Sequence, residues 1–404
     1  MSPSGIARDS AGNLYVANNG NNAISEYASG ASGAPNPIAT IAGANTGLNN
    51  PVAVALDSNA NIYVANCGTC TGATGADSIT VYSAGSNGNV APAATIADPD
   101  TSMDFPLGVA LDSTWNLYVV NAGSIDGGFD SVTIYPAGSN ANVTPTATIS
   151  AGGAATDNTR LLEPDAIVVG PAGHIYVANP FAGNEGNGTV TVYMPGDNGN
   201  VAPQATLGGP DTGLNYPVGL AMGPPRNLHV LNAFGGPDYL GSVTVYNTST
   251  GSIDGDVAPI WAIHGTSSSS DQTGFNYPSG IALDSSSNTY VTNDGSVTGE
   301  ADSVTIYAAG IGGNVAPMAT ISCSLTQLTL PCAIAVDSLG NIWVANDGSL
   351  GGGVDTITVY PPGSNGNVAP SMLLSNGTVE TGAVISGLLT GLSEPAGIAI
   401  NPVP

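Results

Sequence analysis

Lysine is missing from this 404-residue chain altogether, and arginine occurs only three times, at Arg8, Arg160 and Arg226. Against 29 Asp and Glu this leaves a formal charge of −26. A surface so negative repels phosphate backbones and anionic lipid headgroups, and DNA binding needs several basic contacts to release counterions. Nucleic-acid partners and membrane-surface binding are therefore excluded. Without lysine there is no side-chain Schiff base and no Walker-type lysine to reach phosphates, which argues against nucleotide hydrolysis. No apolar run approaches the 18 or so residues of a membrane-spanning helix. Helical spacing of apolar residues is absent throughout, and the opening MSPSGIARDS does not read as a secretory signal.

Glycine (56) and proline (29) are abundant, and they punctuate a repeat. PSGIARDSAGNLYVAN at 3–18 returns as PVAVALDSNANIYVAN at 51–66 and PLGVALDSTWNLYVVN at 106–121, with further copies opening near 164, 217, 278 and 331. A partial copy, PAGIAINPVP, begins at 395. The opening prolines recur every 48 to 64 residues, so loops vary while the unit persists. Each unit also carries a DSITVY-like run and a PAATI-like run. In these, β-branched and aromatic residues alternate with polar ones at the period of a pleated strand. DSxGN and AGSNGNVAP supply tight turns between strands.

Four short antiparallel strands repeated seven times specify an all-β fold, a seven-bladed β-propeller in one domain, since one such sheet cannot bury both its faces alone. The first strand of each unit is rich in Gly, Ala, Ile and Val, as expected where blades converge on an axis. Residues 395–401 supply an extra strand of that innermost type, which competes with residues 5–9 for one slot.

The P-x-G-I-A-x-D-S-x-G-N-I-Y-V-A-N units resemble those of NHL-repeat propellers, over nearly the whole chain. The resemblance implies the same propeller fold and a role among binding scaffolds, lyases and lactonase-like enzymes. Units of that family often end the second strand in Asp, where this chain has Asn (Asn18, Asn66 and their five equivalents). These Asn residues read as turn caps rather than ligands.

Antiparallel order sends the second-to-third loops and the blade-to-blade connectors to one rim, where loop length and acidity concentrate. The residue before each blade-opening proline falls at the channel mouth: Asn50, Phe105, Glu163, Tyr216, Tyr277, Leu330 and Glu394. From this set Phe105, Glu163, Tyr216, Tyr277 and Glu394 are candidate ligand-binding residues, able to stack on or hydrogen-bond a carbohydrate, peptide or protein. His264 joins them, because it follows a fourth strand toward the same rim, whereas His174 lies in an opposite-rim turn and His229 within a strand. Asp98, Asp100 and Asp104 offer oxygen ligands to Ca²⁺, the one cofactor the sequence suggests, without the Gly and terminal Glu of an EF-hand loop.

Cys67 with Cys70, and Cys323 with Cys332, are two local pairs that read as disulfides and so as an oxidising, secreted or cell-surface setting. No GxSxG elbow and no clustered histidines support an enzyme. The leading expectation is a secreted binding or structural module. A calcium-assisted, lactonase-like hydrolase or lyase at the mouth is the alternative. A third is self-association of an extracellular structural protein through its spare strand.

Overall fold

The computed structural model describes residues 3–375, apart from 30–35, 69–76, 98, 126–127, 184–186, 225, 235–239, 249–252, 266–269, 296–298, 338 and 348–355. The second repeat shows how the sequence becomes a blade. Pro51–Leu56, Ile62–Asn66, Ser78–Tyr82 and Ala94–Ile96 pair antiparallel in chain order. Side chains of a strand point alternately to opposite faces. Val54, Leu56 and Val64 accordingly pack against blade 1, while Ala53, Ala55 and Ala65 pack against blade 3. Both faces are covered, so the first three strands are buried end to end, a departure from the usual half-solvated antiparallel sheet.

Seven such four-stranded sheets cover residues 3–42, 51–96, 106–150, 166–207, 217–264, 278–322 and 331–375. Blade 4 opens at Ala166, two residues past the expected Pro164. First strands of neighbouring blades touch one another and so surround a common axis. Seven apolar clusters each join two consecutive blades. The last sets Ile6, Leu14 and Tyr27 of blade 1 against Ala335, Trp343 and Val359 of blade 7, which closes the ring. Helix is confined, among the described residues, to three-residue 3-10 turns such as Asn19–Asn21. The expected all-β, seven-bladed propeller is therefore the fold. Blade 1 takes its innermost strand, Pro3–Arg8, from the N-terminal end of the sequence. Residues 395–401 and Glu394 lie outside the described residues.

Three polar devices recur between blades. First, in blades 2 to 7 the buried Asn that ends the second strand locks a connector. Asn66 donates its amide N–H to the Val64 carbonyl and to Thr80 Oγ1, and its Oδ1 accepts the Asn49 N–H from the incoming connector at 3.1 Å. Second, in the same six blades the Tyr ending the third strand reaches back to a connector carbonyl, as Tyr82 does to Thr46 and Tyr193 to Thr159. Third, the outer turn clasps the preceding blade. Asn87 Oδ1 accepts the Thr40 N–H and Asn89 Oδ1 the Asn45 N–H. The DSxGN turns are capped as expected, with Asp57 Oδ1 accepting the Asn59 and Asn61 N–H groups.

The second disulfide expectation is corrected: Cys323 and Cys332 are not joined by a disulfide. Cys323 follows the outermost strand of blade 6, whereas Cys332 belongs to the innermost strand of blade 7 and directs its Sγ to the Ala345 carbonyl. The connector between them crosses the radius of the ring, so nine residues of sequence lead from the outer edge of one sheet to the inner edge of the next. Cys67 is buried; Cys70, and with it their pairing, lies outside the described residues.

Candidate ligand-binding site

At the six described positions, the residue before the blade-opening proline has a left-handed backbone: φ is 49° at Asn50, 56° at Phe105, 44° at Glu163, 58° at Tyr216, 49° at Tyr277 and 49° at Leu330. L-residues other than Gly avoid this region at a cost of about 1–2 kcal/mol each, so the surroundings must enforce it. Polar contacts on either side do so. The Phe105 N–H donates to Asp77 Oδ2 and the Glu163 N–H to Asp130 Oδ2, both at 2.8 Å. On the other side the Phe105 carbonyl accepts from Ala122 N–H, and that of Tyr216 from Ala233 N–H. The chain thus turns sharply into the innermost strand, and six side chains are held half-buried around the mouth of the channel.

In blades 4 to 6 this arrangement gathers aromatics. Phe181 meets Tyr216 edge-on, with ring centroids 4.9 Å apart and planes at 84°. Tyr216 lies 5.0 Å from Phe234 at 51°, and Phe234 lies 5.7 Å from Tyr277 at 87°. These are favourable edge-to-face and tilted geometries. Together they form one band across three blades, and Phe181 at its end is 47% exposed. Glu163 holds the next mouth position in blade order. Its carboxyl is pushed above the usual carboxylate range, first by burial and then by the charge of Asp130.

The expected Tyr216 and Tyr277 are thus brought into one band, and two members of it, Phe181 and Phe234, were not foreseen. Both stand two residues past the strand-ending Asn, a place taken by Gly20, Gly68, Gly123, Gly295 and Gly348 in the other five blades. A departure from the repeat was the available signal. Phe105, Asn50 and Leu330 occupy equivalent mouth positions beyond the band.

The remaining candidates lie elsewhere. His264 ends the outermost strand of its blade, three strands from the axis, where its Nδ1 sits 2.9 Å from the Gly265 carbonyl oxygen. His174 lies in the turn between the first two strands of blade 4, on the opposite rim. His229 is fully buried against Trp261, and desolvation pushes its imidazole from 6.5 down to about 4. Asp100 is engaged by the clasp of the next blade, accepting Asn142 Nδ2–H at 2.9 Å. Asp104 is packed over Gly123 and Gly128 instead. Asp98 lies outside the described residues, and no group of three or more metal-ligating side chains is assembled among those described.

Fold and site together define a closed seven-bladed propeller that displays an aromatic band on its connector rim. No protein-family model and no curated protein matches the sequence. In architecture the chain is similar to a streptogramin B lyase, at 14% identity over 85% of this chain and 90% of that one, with a TM-score of 0.55. It is also similar to a catalytically inactive histidine-to-alanine form of the virginiamycin B lyase of Staphylococcus aureus with quinupristin (13% identity, 86% and 92% of the chains, TM-score 0.53). The WD40 propeller domain of Doa1 aligns comparably (10%, 86% and 90%, TM-score 0.54). At such identities the shared property is the fold, which hosts unrelated activities.

Proposed function

We propose that the chain is a secreted or cell-surface binding module that takes a neutral carbohydrate on the Phe181–Tyr216–Phe234–Tyr277 band. The observation that carries this reading is the band itself: four aromatic rings in continuous contact, contributed by loops and connectors, on a rigid ring. Flat apolar faces suit stacking on sugar rings, and the Glu163 carboxyl beside them offers a hydrogen-bonding group. A net charge of −26 disfavours anionic ligands.

Lyase or hydrolase chemistry at the mouth, with or without calcium, has less support. The lyase of similar fold is inactive as a histidine-to-alanine form, and here all three histidines lie away from the mouth.

A calorimetric screen of neutral oligosaccharides, acidic oligosaccharides and peptides tests the proposal. A neutral glycan should bind, and Tyr216→Ala combined with Tyr277→Ala should weaken it by about 2 kcal/mol or more, roughly 30-fold. Binding of peptides alone, or glycan binding indifferent to the double substitution, would reject it.

A further inference from the structure

Six of the seven blade junctions carry the same latch. Its connector reads Thr-Gly-Leu-Asn-Asn-Pro at 46–51 and Thr-Gly-Leu-Asn-Tyr-Pro at 212–217. The Thr carbonyl accepts from the Tyr of the next blade, and the N–H two residues before Pro donates to that blade's buried Asn. The apolar residue two after Thr enters the interface cluster, as Leu48, Leu161, Leu214 and Phe275 do.

The junction of blade 7 with blade 1 lacks all three contacts among the described residues. Asn18 is 0% exposed and its Nδ2 is satisfied by Val16, Ala23 and Ser25, yet its Oδ1, alone among the seven equivalent Asn residues, has no partner. Buried acceptors are almost always paired, so one left in this state marks a missing donor. Tyr27 is buried in the same interface, where among the described residues its hydroxyl meets no connector carbonyl and the surrounding cluster holds no connector side chain. The sequence supplies a matching segment: Thr390-Gly391-Leu392-Ser393-Glu394-Pro395.

We propose that residues 390–400 are the native occupant of this junction, with 390–394 as the latch and 395–400 as the innermost strand of blade 1, in place of Pro3–Arg8. Thr390 then offers its carbonyl to Tyr27, Ser393 its N–H to Asn18 Oδ1, and Leu392 fills the cluster. In the six other junctions no spare residue separates latch from strand, so a docked latch delivers Pro395 to the position of Pro3 and the two strands exclude each other. Side-chain chemistry favours the later copy at the position facing blade 7. Arg8 stands there, where the other blades have Leu56, Leu111, Val169, Met222, Leu283 and Val336, and Ile400 restores an apolar residue. The exchange gives up the Ser4 hydroxyl bond to the Pro51 carbonyl and one of the two Asp9 oxygens that hold Asn13, since Asn401 replaces Asp9.

Hydrogen–deuterium exchange on the full 404-residue chain, read by mass spectrometry, tests the assignment. The amides of 397–400 should be protected at least about tenfold more than those of 5–8, because only one strand can pair with Leu14–Asn18. Ser393→Pro, which removes the N–H that meets Asn18, should transfer protection to 5–8 while the ring stays folded. Protection of 5–8 with free exchange at 397–400 in the unsubstituted chain would overturn the proposal. So would a dimer by light scattering whose 397–400 protection falls on dilution, since the segment would then seat on a second copy.

Discussion

The ring of Phe234 lies 5.0 Å from that of Tyr216, although the two residues belong to different structural pieces: a loop after the second strand of blade 5 and the connector that enters it. Backbone bonds fasten the pieces together, the Phe234 N–H to the Asn215 carbonyl and Asn215 Nδ2 to the Phe234 carbonyl. The band is thus built into the blade edge. Replacing Phe234 by Gly, the residue five other blades use at this place, should leave melting nearly unchanged. It should weaken glycan binding by about tenfold, since it removes the ring that joins the two tyrosines. Titration calorimetry beside a thermal melt separates the two effects, and unaltered affinity would detach the band from function.

The left-handed connector residues make a prediction contrary to the usual ranking of small residues. Gly in place of Ala normally destabilises, because the unfolded chain gains freedom. At position 330, where φ is 49°, Ala carries a Cβ penalty that Gly escapes. Leu330→Gly should therefore be more stable than Leu330→Ala by about 1 kcal/mol in chemical denaturation, both having lost the same side-chain contacts. The opposite order would mean that the connector relaxes out of this conformation.

The Asn locks should be expensive to remove. Asn66→Ala leaves the Asn49 N–H, the Val64 carbonyl and Thr80 Oγ1 without their shared partner in a fully buried site. A loss of roughly 2–4 kcal/mol is expected from denaturant unfolding. Asn66→Asp should recover little, because a carboxylate accepts the connector N–H but cannot donate to Val64 and carries a buried charge.

The wheel itself was legible in the chain, since period-2 strands and register-marking prolines repeat often enough to fix blade number and strand order. The strand-ending Asn residues were legible as structural, but their reach to a connector 17 residues earlier was not, because that contact exists only once two blades are packed. Tyr216 and Tyr277 could be placed at the mouth from the proline after each. Phe181 and Phe234 stand in loops of variable length, where only the Gly at the same place in the other five blades marks them as exceptions. Radial position was the blind spot. His264 and Cys323 sit near a connector in sequence, yet both lie at the outer edge of their blades, far from the axis that the connector eventually reaches.

Burial of His229 makes stability depend on pH in a defined direction. The imidazole is 1% exposed, packs on Trp261 with centroids 5.3 Å apart, and has its pKa lowered from 6.5 to about 4 by desolvation. Folded protein therefore holds this ring neutral down to about pH 4, whereas the unfolded chain takes up a proton once pH falls below about 6.5. Through that window the unfolded state binds more protons, so stability is complete above it and falls as pH drops, levelling off below the folded value. Between pH 7 and pH 5 the loss should be about 2 kcal/mol. His229→Phe keeps an aromatic ring against Trp261 and removes the titration, so it should abolish this part of the decline. Carboxyls such as Glu26, whose pKa is raised chiefly by burial, titrate alike in both proteins and cancel in the comparison. Denaturant melts of the two proteins at pH 7, 6 and 5 provide the check: parallel pH profiles would show that the folded protein admits a charged imidazole at this site.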